Sequence, residues 1–302
     1  MPAPLTSAQL LAIYTSIKAR WNVGLKAGRE DWKKIARLIT SESASNTYEW
    51  MSQFPAFREW IGARLHKQLA EAAYTVPNKK FECTIDIPRE KFEDSTYGQY
   101  GDVAESYGQS VNDLFNQTMF EALVGGFANT CYDGQYMFDT DHPVAPNEDG
   151  TGTPVMVSNL QAGTGEPWFL LCTERAPKPL YLQERIPAQL TARFNPEDPI
   201  VFEQDTFSFG GRWRGNAAYG FWQLAFGSKA AATSDNFEAA YQSMLLVNGD
   251  GNRPLGVTPD LLVCGPNNQA NFERILKAEK NAAGASNVNY NKVQLFVSPW
   301  VR

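Results

Sequence analysis

Residues 96–126, TYGQYGDVAESYGQSVNDLFNQTMFEALVGG, form the longest helical stretch of the chain, and the reading of the fold starts there. Tyr100, Val103, Tyr107, Val111, Leu114, Thr118 and Ala122 recur every three or four positions, the spacing of one helix face. Gly125-Gly126 supplies the stop. At ~1.5 Å per residue, a helix over Thr96–Val124 reaches ~40 Å, the span of a whole small domain.

Toward the N-terminus, Phe81, Cys83, Ile85 and Ile87 alternate with Glu82, Thr84 and Asp86, a period of two that predicts a strand. Gln68–Val76 reads as a second extended segment, joined to it through Pro77-Asn78-Lys79-Lys80. A two-stranded ribbon has little core of its own and is marginal alone, so it is expected to rest on another molecule. Trp50, Phe54, Phe57 and Trp60 crowd the stretch before it, interrupted by Pro55. Aromatic platforms can stack bases, but only Arg58 and Arg64 lie near, and packing in a core or a subunit interface is the stronger reading. Ser41–Thr47 is small and polar, a loop. Asp31–Ile39 predicts a short helix with Trp32, Ile35, Ala36 and Ile39 on one side. Thr6 and Gln9 have the spacing of a capping box ahead of Leu10, Tyr14, Ile17 and Trp21. That amphipathic helix ends near Gly24 or Gly28, and its stripe needs a partner in this subunit or a neighbour.

Toward the C-terminus, Asn129–Gly165 is rich in Asp, Gly, Pro, Asn and Thr and reads as a loop longer than ordinary connections. Trp168–Cys172 and Leu180–Gln183 predict short strands. Phe202–Phe209 and Tyr219–Phe226 predict aromatic strands with a glycine-rich turn, Gly210–Asn216, between them. Asn236–Val247 and Asn268–Ala278 read as helices, Leu261–Cys264 as a buried strand and Val293–Val297 as a final strand. Helices and strands mix without regular βαβ alternation, so the class is α+β.

Of 302 residues, 43% are hydrophobic and 20% charged, enough apolar material for a sizeable core. The net charge of −6 comes with no basic stripe of the kind that grips phosphates. No apolar run approaches the ~18–20 residues of a membrane span. The first fifteen residues lack the features of a secretion signal, which points to a protein made in the cytoplasm. Cys83, Cys131, Cys172 and Cys264 are too scattered for a disulfide framework or a close-spaced zinc site and read as reduced thiols.

Chemistry is sparse. His66 sits between Arg64 and Lys67 and reads as a surface residue. His142, in Asp139-Thr140-Asp141-His142-Pro143, follows Cys131-Tyr132-Asp133. That cluster could hold a metal, or pair Cys131 as nucleophile with His142 as base. The blander expectation, a loop pinned by Asp side chains on backbone amides, is preferred. No phosphate-binding loop, dinucleotide fingerprint, nucleophile elbow or H-E-x-x-H motif is present. The pairs Asp198/Glu203 and Glu82/Asp86 read as exposed acids. No catalytic residue, metal or cofactor is expected.

The ordered segments together resemble a family. Asn46-Thr47-Tyr48-Glu49-Trp50, Phe54-Pro55, Arg58-Glu59-Trp60-Ile61-Gly62 and Asn78-Lys79-Lys80-Phe81-Glu82 are similar to the Mu-like bacteriophage major head subunits. So are Phe92-Glu93-Asp94, Cys131-Tyr132-Asp133-Gly134-Gln135, Phe138-Asp139, His142-Pro143, Gln183-Glu184-Arg185 and Ala218-Tyr219-Gly220-Phe221-Trp222-Gln223. The resemblance runs from about residue 10 to the C-terminus.

It implies an HK97-like capsid fold: an N-terminal arm (1–45), an extended loop (46–95), a peripheral domain (96–128 and 166–227) with a spine helix (96–124), a long loop (129–165) and an axial domain (228–302). The Leu180–Phe226 block precedes the αβ tail, whereas many HK97-like chains return to the peripheral domain near the C-terminus. Either the connectivity is rearranged or the assignment of that block is wrong. The implied function is self-assembly into pentamers and hexamers of an icosahedral shell around double-stranded DNA. The implied partners are further copies of the chain, a separate scaffold protein, a portal at one vertex and an optional decoration protein, with no membrane. The expected inter-subunit contacts are Tyr14, Ile17 and Trp21 in the arm and Trp50, Phe54, Phe81, Cys83 and Ile85 in the extended loop. Rival readings are a tail or decoration component, and a head-maturation hydrolase using Cys131 and His142.

Overall fold

The computed structural model describes residues 6–48, 74–93, 100–195, 197–281 and 283–302. In chain order the elements are α1 (Ser7–Ala27), β1 (Ala36–Thr40), β2 (Ser45–Thr47), β3 (Thr75–Pro77), β4 (Lys79–Pro88), α2 (Arg89–Glu93), α3 (Tyr100–Gly125), β5 (His142–Val144), β6 (Val155–Val157) and β7 (Leu160–Gln161). They continue with β8 (Trp168–Leu171), β9 (Leu180–Arg193), α4 (Pro199–Gln204), β10 (Thr206–Tyr219), β11 (Ala225–Ser228), α5 (Ser234–Leu245), β12 (Asn248–Gly249), β13 (Arg253–Pro254), β14 (Leu261–Cys264), α6 (Pro266–Lys277) and β15 (Gln294–Val297).

Two sheets carry the molecule. The first runs β1-β9-β10-β4, with β9 and β10 as a long antiparallel hairpin, β4 antiparallel on one edge and β1 parallel on the other. Directly paired residues share a face. Ile87/Phe207, Ile85/Phe209/Ala192 and Phe81/Trp213 therefore line one side, which α1 and α3 cover, and Glu82/Arg212 and Asp86/Ser208 line the other. The second sheet runs β15-β14-β8-β11-β7. All four residues of β8, of β11 and of β14 are buried, the mark of strands covered on both faces.

The helix α3 spans both. Its first half lies with α1 on the first sheet, and its second half reaches the other, where Phe120 stacks on Phe296 of β15 at 5.7 Å. The capping box at Thr6 forms as expected, with Gln9 N–H on Thr6 Oγ1 at 3.3 Å and Thr6 N–H on Gln9 Oε1 at 2.9 Å.

Several expectations are corrected. Asp31–Ile39 is not a helix: a short 3-10 turn over Asp31–Lys34 leads into β1, because Ala36–Thr40 finds a ready parallel partner in Leu180–Glu184. A nine-residue helix is too short to hold against such pairing. The two ribbon segments do not pair with each other: β4 pairs with β10 and β3 pairs with β2, while 68–73 lies outside the described residues. Gly210–Asn216 is not a turn but the middle of β10, and Leu180–Gln183 is only the start of a strand of 14 residues. A side chain at Gly211 would collide with the Tyr107 hydroxyl, which accepts from Gly211 N–H and donates to Cys83 C=O between the two strands. The glycine there serves close approach.

The stripe of α3 is also displaced from the one expected. Ala104, Tyr107, Asn112, Phe115, Asn116, Met119, Phe120 and Leu123 are buried, while Val103 is 45% exposed. The stretch 166–227 divides between the sheets, because β8 and β11 belong to the second one with β14 and β15 of the tail. Within the Leu180–Phe226 block, β9 and β10 pair in the first sheet while Ala225-Phe226 pair in the second, which also holds β15, the last strand. The long connection 129–165 carries structure of its own, the β5–β6 pair and β7.

Candidate assembly interface

The arm helix is seated on its own chain. α1 and α3 run side by side in the same direction, and a Cβ on Gly24 would strike the Glu105 carbonyl while one on Gly108 would strike the Trp21 carbonyl. Backbones therefore meet with no side chain between them. Asn112 Nδ2 donates to Leu25 C=O at 2.7 Å, Asn116 Nδ2 donates to Arg29 C=O at 2.8 Å, and Asn116 Oδ1 accepts from Trp32 N–H at 2.8 Å. The two amides thereby satisfy one carbonyl in the last turn of α1 and, in the segment that follows it, the Arg29 C=O and the Trp32 N–H.

Ile17 and Trp21 are buried in this contact, at 8% and 3% exposure. Tyr14 is half-buried, its hydroxyl donating to Leu190 C=O at 3.1 Å and its ring 5.5 Å from that of Phe194. All three face the chain's own sheet and spine helix, a partner the periodicity left open.

The β4 residues sit closer to solvent. Phe81 packs on Trp213 at 5.1 Å and remains half-exposed, Cys83 carries an exposed thiol, and Ile85 lines the groove between β4 and α3 with Val103 and Ser106. β4 is the edge of its sheet, with one long side unpaired by any strand among the described residues. Trp50, Phe54, Phe57, Trp60 and His66 lie outside the described residues. The two ends of the chain flanking 49–73 are anchored. Tyr48 donates to Gln183 Oε1 at 2.7 Å, and Gln183 Nε2 donates to Val76 C=O at 3.1 Å and Asn78 Oδ1 at 2.7 Å. Tyr74 accepts from Tyr219 N–H at 3.1 Å. Burial pushes the Tyr48 hydroxyl up to about 12. Gln183 was legible only as part of a resemblance motif, since a buried glutamine has no periodicity of its own.

The loop after α3 brings Cys131, Asp133 and His142 together. Gly134, at φ +86°, closes a tight turn in which Cys131 N–H donates to Gln135 C=O at 2.8 Å. Asp133 Oδ1 accepts from Gln135 N–H and from the Cys131 thiol, each at 3.1 Å. His142 is fully buried, with Nδ1 2.7 Å from Asp133 Oδ2, Nε2 3.1 Å from Asn159 Oδ1 and its ring stacked on Trp222 at 4.1 Å. Both ring nitrogens are occupied, so neither is free to take a proton from Cys131. Burial and the neighbouring Asp133 charge push the thiol well above its ordinary range. Burial alone would raise Asp133, but the hydrogen bond and charge of His142, with the thiol and the Gln135 amide, hold it below the usual carboxylate range. The three could approach a metal ion, their donor atoms lying within 4.8 Å of one another. Each donor atom, however, already has a partner, and the thiol is held in its protonated form, the opposite of what a metal requires. The cluster ties a loop down.

The sequence profile of the family described as Mu-like prophage major head subunit gpT matches residues 10–301. The chain is 38% identical over 303 residues to the major capsid protein of Escherichia phage Mu, covering 98% of this chain and 99% of that one. It is 34% identical to the Mu-like prophage FluMu major head subunit of Haemophilus influenzae, covering 99% and 100%. Among solved structures it superposes on the subunit in the procapsid of bacteriophage JBD30 with a TM-score of 0.89 and 39% identity, covering 98% and 100%. On the subunit in the JBD30 capsid the TM-score is 0.77 with 33% identity, covering 99% and 100%. The α+β capsid architecture implied by the sequence is therefore the one adopted, and the chain belongs to the Mu-like prophage major head subunit family.

Proposed function

We propose that this chain is the major capsid protein of a Mu-like tailed phage or prophage, closing an icosahedral shell from pentamers and hexamers of itself around double-stranded DNA. The observation that carries the reading is end-to-end agreement, in sequence and in backbone, with head subunits. Better agreement with the procapsid subunit than with the capsid subunit supports a further point, that this is the conformation before the shell matures. A related JBD30 capsid is described as decorated with minor capsid protein trimers, which supports a decoration partner here. A scaffold protein, a portal at one vertex, DNA inside and synthesis in the host cytoplasm belong to the same reading, and family membership supports them. No helix among the described residues is long and apolar enough to cross a membrane.

In this reading the first sheet with α1 and α3 forms the body of the peripheral domain and the second sheet that of the axial domain. Ring closure needs one surface of each subunit to meet a different surface of the next. The contacts would come from Trp50 and Phe54 in the extended loop and from the half-exposed edge Phe81, Cys83 and Ile85. Tyr14, Ile17 and Trp21 would act by holding α1 in place. Many small burials of apolar area, each at about 25 cal/mol per Å² before ordering costs, then add up through multiplicity. The subunit does no chemistry; the hydrogen-bonded Cys131, Asp133 and His142 support that against a hydrolase.

Replacing Trp50 and Phe54 with Asp tests the loop. The expected result is a folded subunit by circular dichroism that no longer closes shells under electron microscopy. Normal shells from the double variant would remove the loop from the interface. An unaltered chain that stays monomeric beside its scaffold would overturn the capsid reading itself.

A further inference from the structure

His142 is one of two histidines in the chain, and neither assembly nor the loop anchoring just described explains its protonation. Its surroundings fix that state. Asn159 Nδ2 lies 2.8, 3.3 and 3.1 Å from the carbonyl oxygens of Met137, Trp222 and Ala225, so this end of the amide is the donor. Its Oδ1 is then the acceptor, and it takes Asp139 N–H at 2.9 Å. The same oxygen lies 3.1 Å from His142 Nε2, which must therefore carry a hydrogen. The other ring nitrogen faces Asp133 Oδ2, and the second oxygen of that carboxylate already accepts two donors. A neutral imidazole has one donor nitrogen and one acceptor nitrogen; a ring with an acceptor on each side wants both protons.

We infer that His142 is a buried imidazolium, a proton-binding site that clamps the loop after α3 onto the junction of the two sheets. The charge is compensated on every side. Asp133 supplies the counter-charge, Asn159 the second acceptor, and the Trp222 face lies flat on the ring, an arrangement that favours a cation. The depressed Asp133 carboxyl agrees with an ionised partner. The remaining titratable neighbours are the protonated Cys131 thiol, Asp139, whose own oxygens accept from Tyr136 N–H and Thr140 N–H, and Asp141, next in the chain. From the turn between β12 and β13, Asp250 accepts from Ala145 N–H. A buried ion pair is costly to break on one side because the other charge is left alone. Losing the proton would set a bare nitrogen against an oxygen.

Histidine-selective 15N labelling of intact particles, read by solid-state NMR at pH 7.5, decides the matter. His66→Gln assigns the signals. Both ring nitrogens of His142 are expected to show directly bonded hydrogens. A single bare nitrogen on His142 at that pH would overturn the inference, and so would a protonated Asp133 carboxyl beside a neutral ring. Asp133→Asn should strip one of the two hydrogens while Asp141→Asn leaves both. If Asp133→Asn does not fold, the unaltered protein still gives the answer.

Discussion

The two sheets of this subunit are built on opposite plans. The four-stranded sheet buries one face under α1 and α3 and leaves the other to Glu82, Arg212 and Gln189, with β4 as an open edge. The five-stranded sheet hides both faces of its three inner strands, β14, β8 and β11, and Trp168, Phe169, Leu170 and Leu171 are all 0% exposed. One is a platform with a face and an edge left open; the inner strands of the other are covered within the chain. The difference teaches where stability and assembly reside: substitutions in the second sheet should unfold the subunit, and those on the rim of the first should spare the fold.

The largest expected effect is at Phe169, whose ring packs against Phe138 at 5.2 Å and Phe127 at 5.7 Å. Phe169→Ala should cost about 3–5 kcal/mol of unfolding free energy in a urea titration of dissociated subunits. A loss under about 1 kcal/mol would break the contrast, because the doubly covered sheet would then not be the stable one. Next comes Asn116→Ala, which leaves Arg29 C=O and Trp32 N–H without their partner and should cost about 1–3 kcal/mol. Finer still is the pair Arg20–Glu105 at 3.5 Å, with side chains 57% and 29% exposed. Arg20→Ala should change stability by no more than about 0.5 kcal/mol and should leave shell yield unaltered. A larger drop would place this rim of α1 in the load path.

The two plans also explain what could be read in advance. Leu261–Cys264 and Trp168–Cys172 announce themselves as unbroken apolar runs, and Phe81–Ile87 as strict alternation. The long helix was legible, but its buried face was not. Asn112 and Asn116 sit on it because their amides meet backbone groups from residues 25–32, a tertiary demand that hydrophobic periodicity reads as a break. Gly210 and Gly211 look like a turn, whereas they lie inside β10 and the space that Gly211 leaves is taken by Tyr107 from another element. β1 was hidden because its partner lies about 140 residues away, at Leu180–Glu184. The Cys131–His142 loop was correctly read as pinned by Asp side chains, though nothing in the order of residues pointed to Asn159 or Trp222 as the other half of the clamp.

The glycine contact between α1 and α3 carries one more consequence. With Gly24 and Gly108 backbone to backbone, and Asn112 and Asn116 gripping individual carbonyls beyond them, the arm cannot creep along the spine by small amounts. Slippage by one residue would thrust a Cβ into a peptide group; the next register that matches the helical surface is a full turn, ~5.4 Å, away. If the subunit changes shape, the arm travels with the spine as a single beam, jumps by a whole turn, or lets go of it altogether.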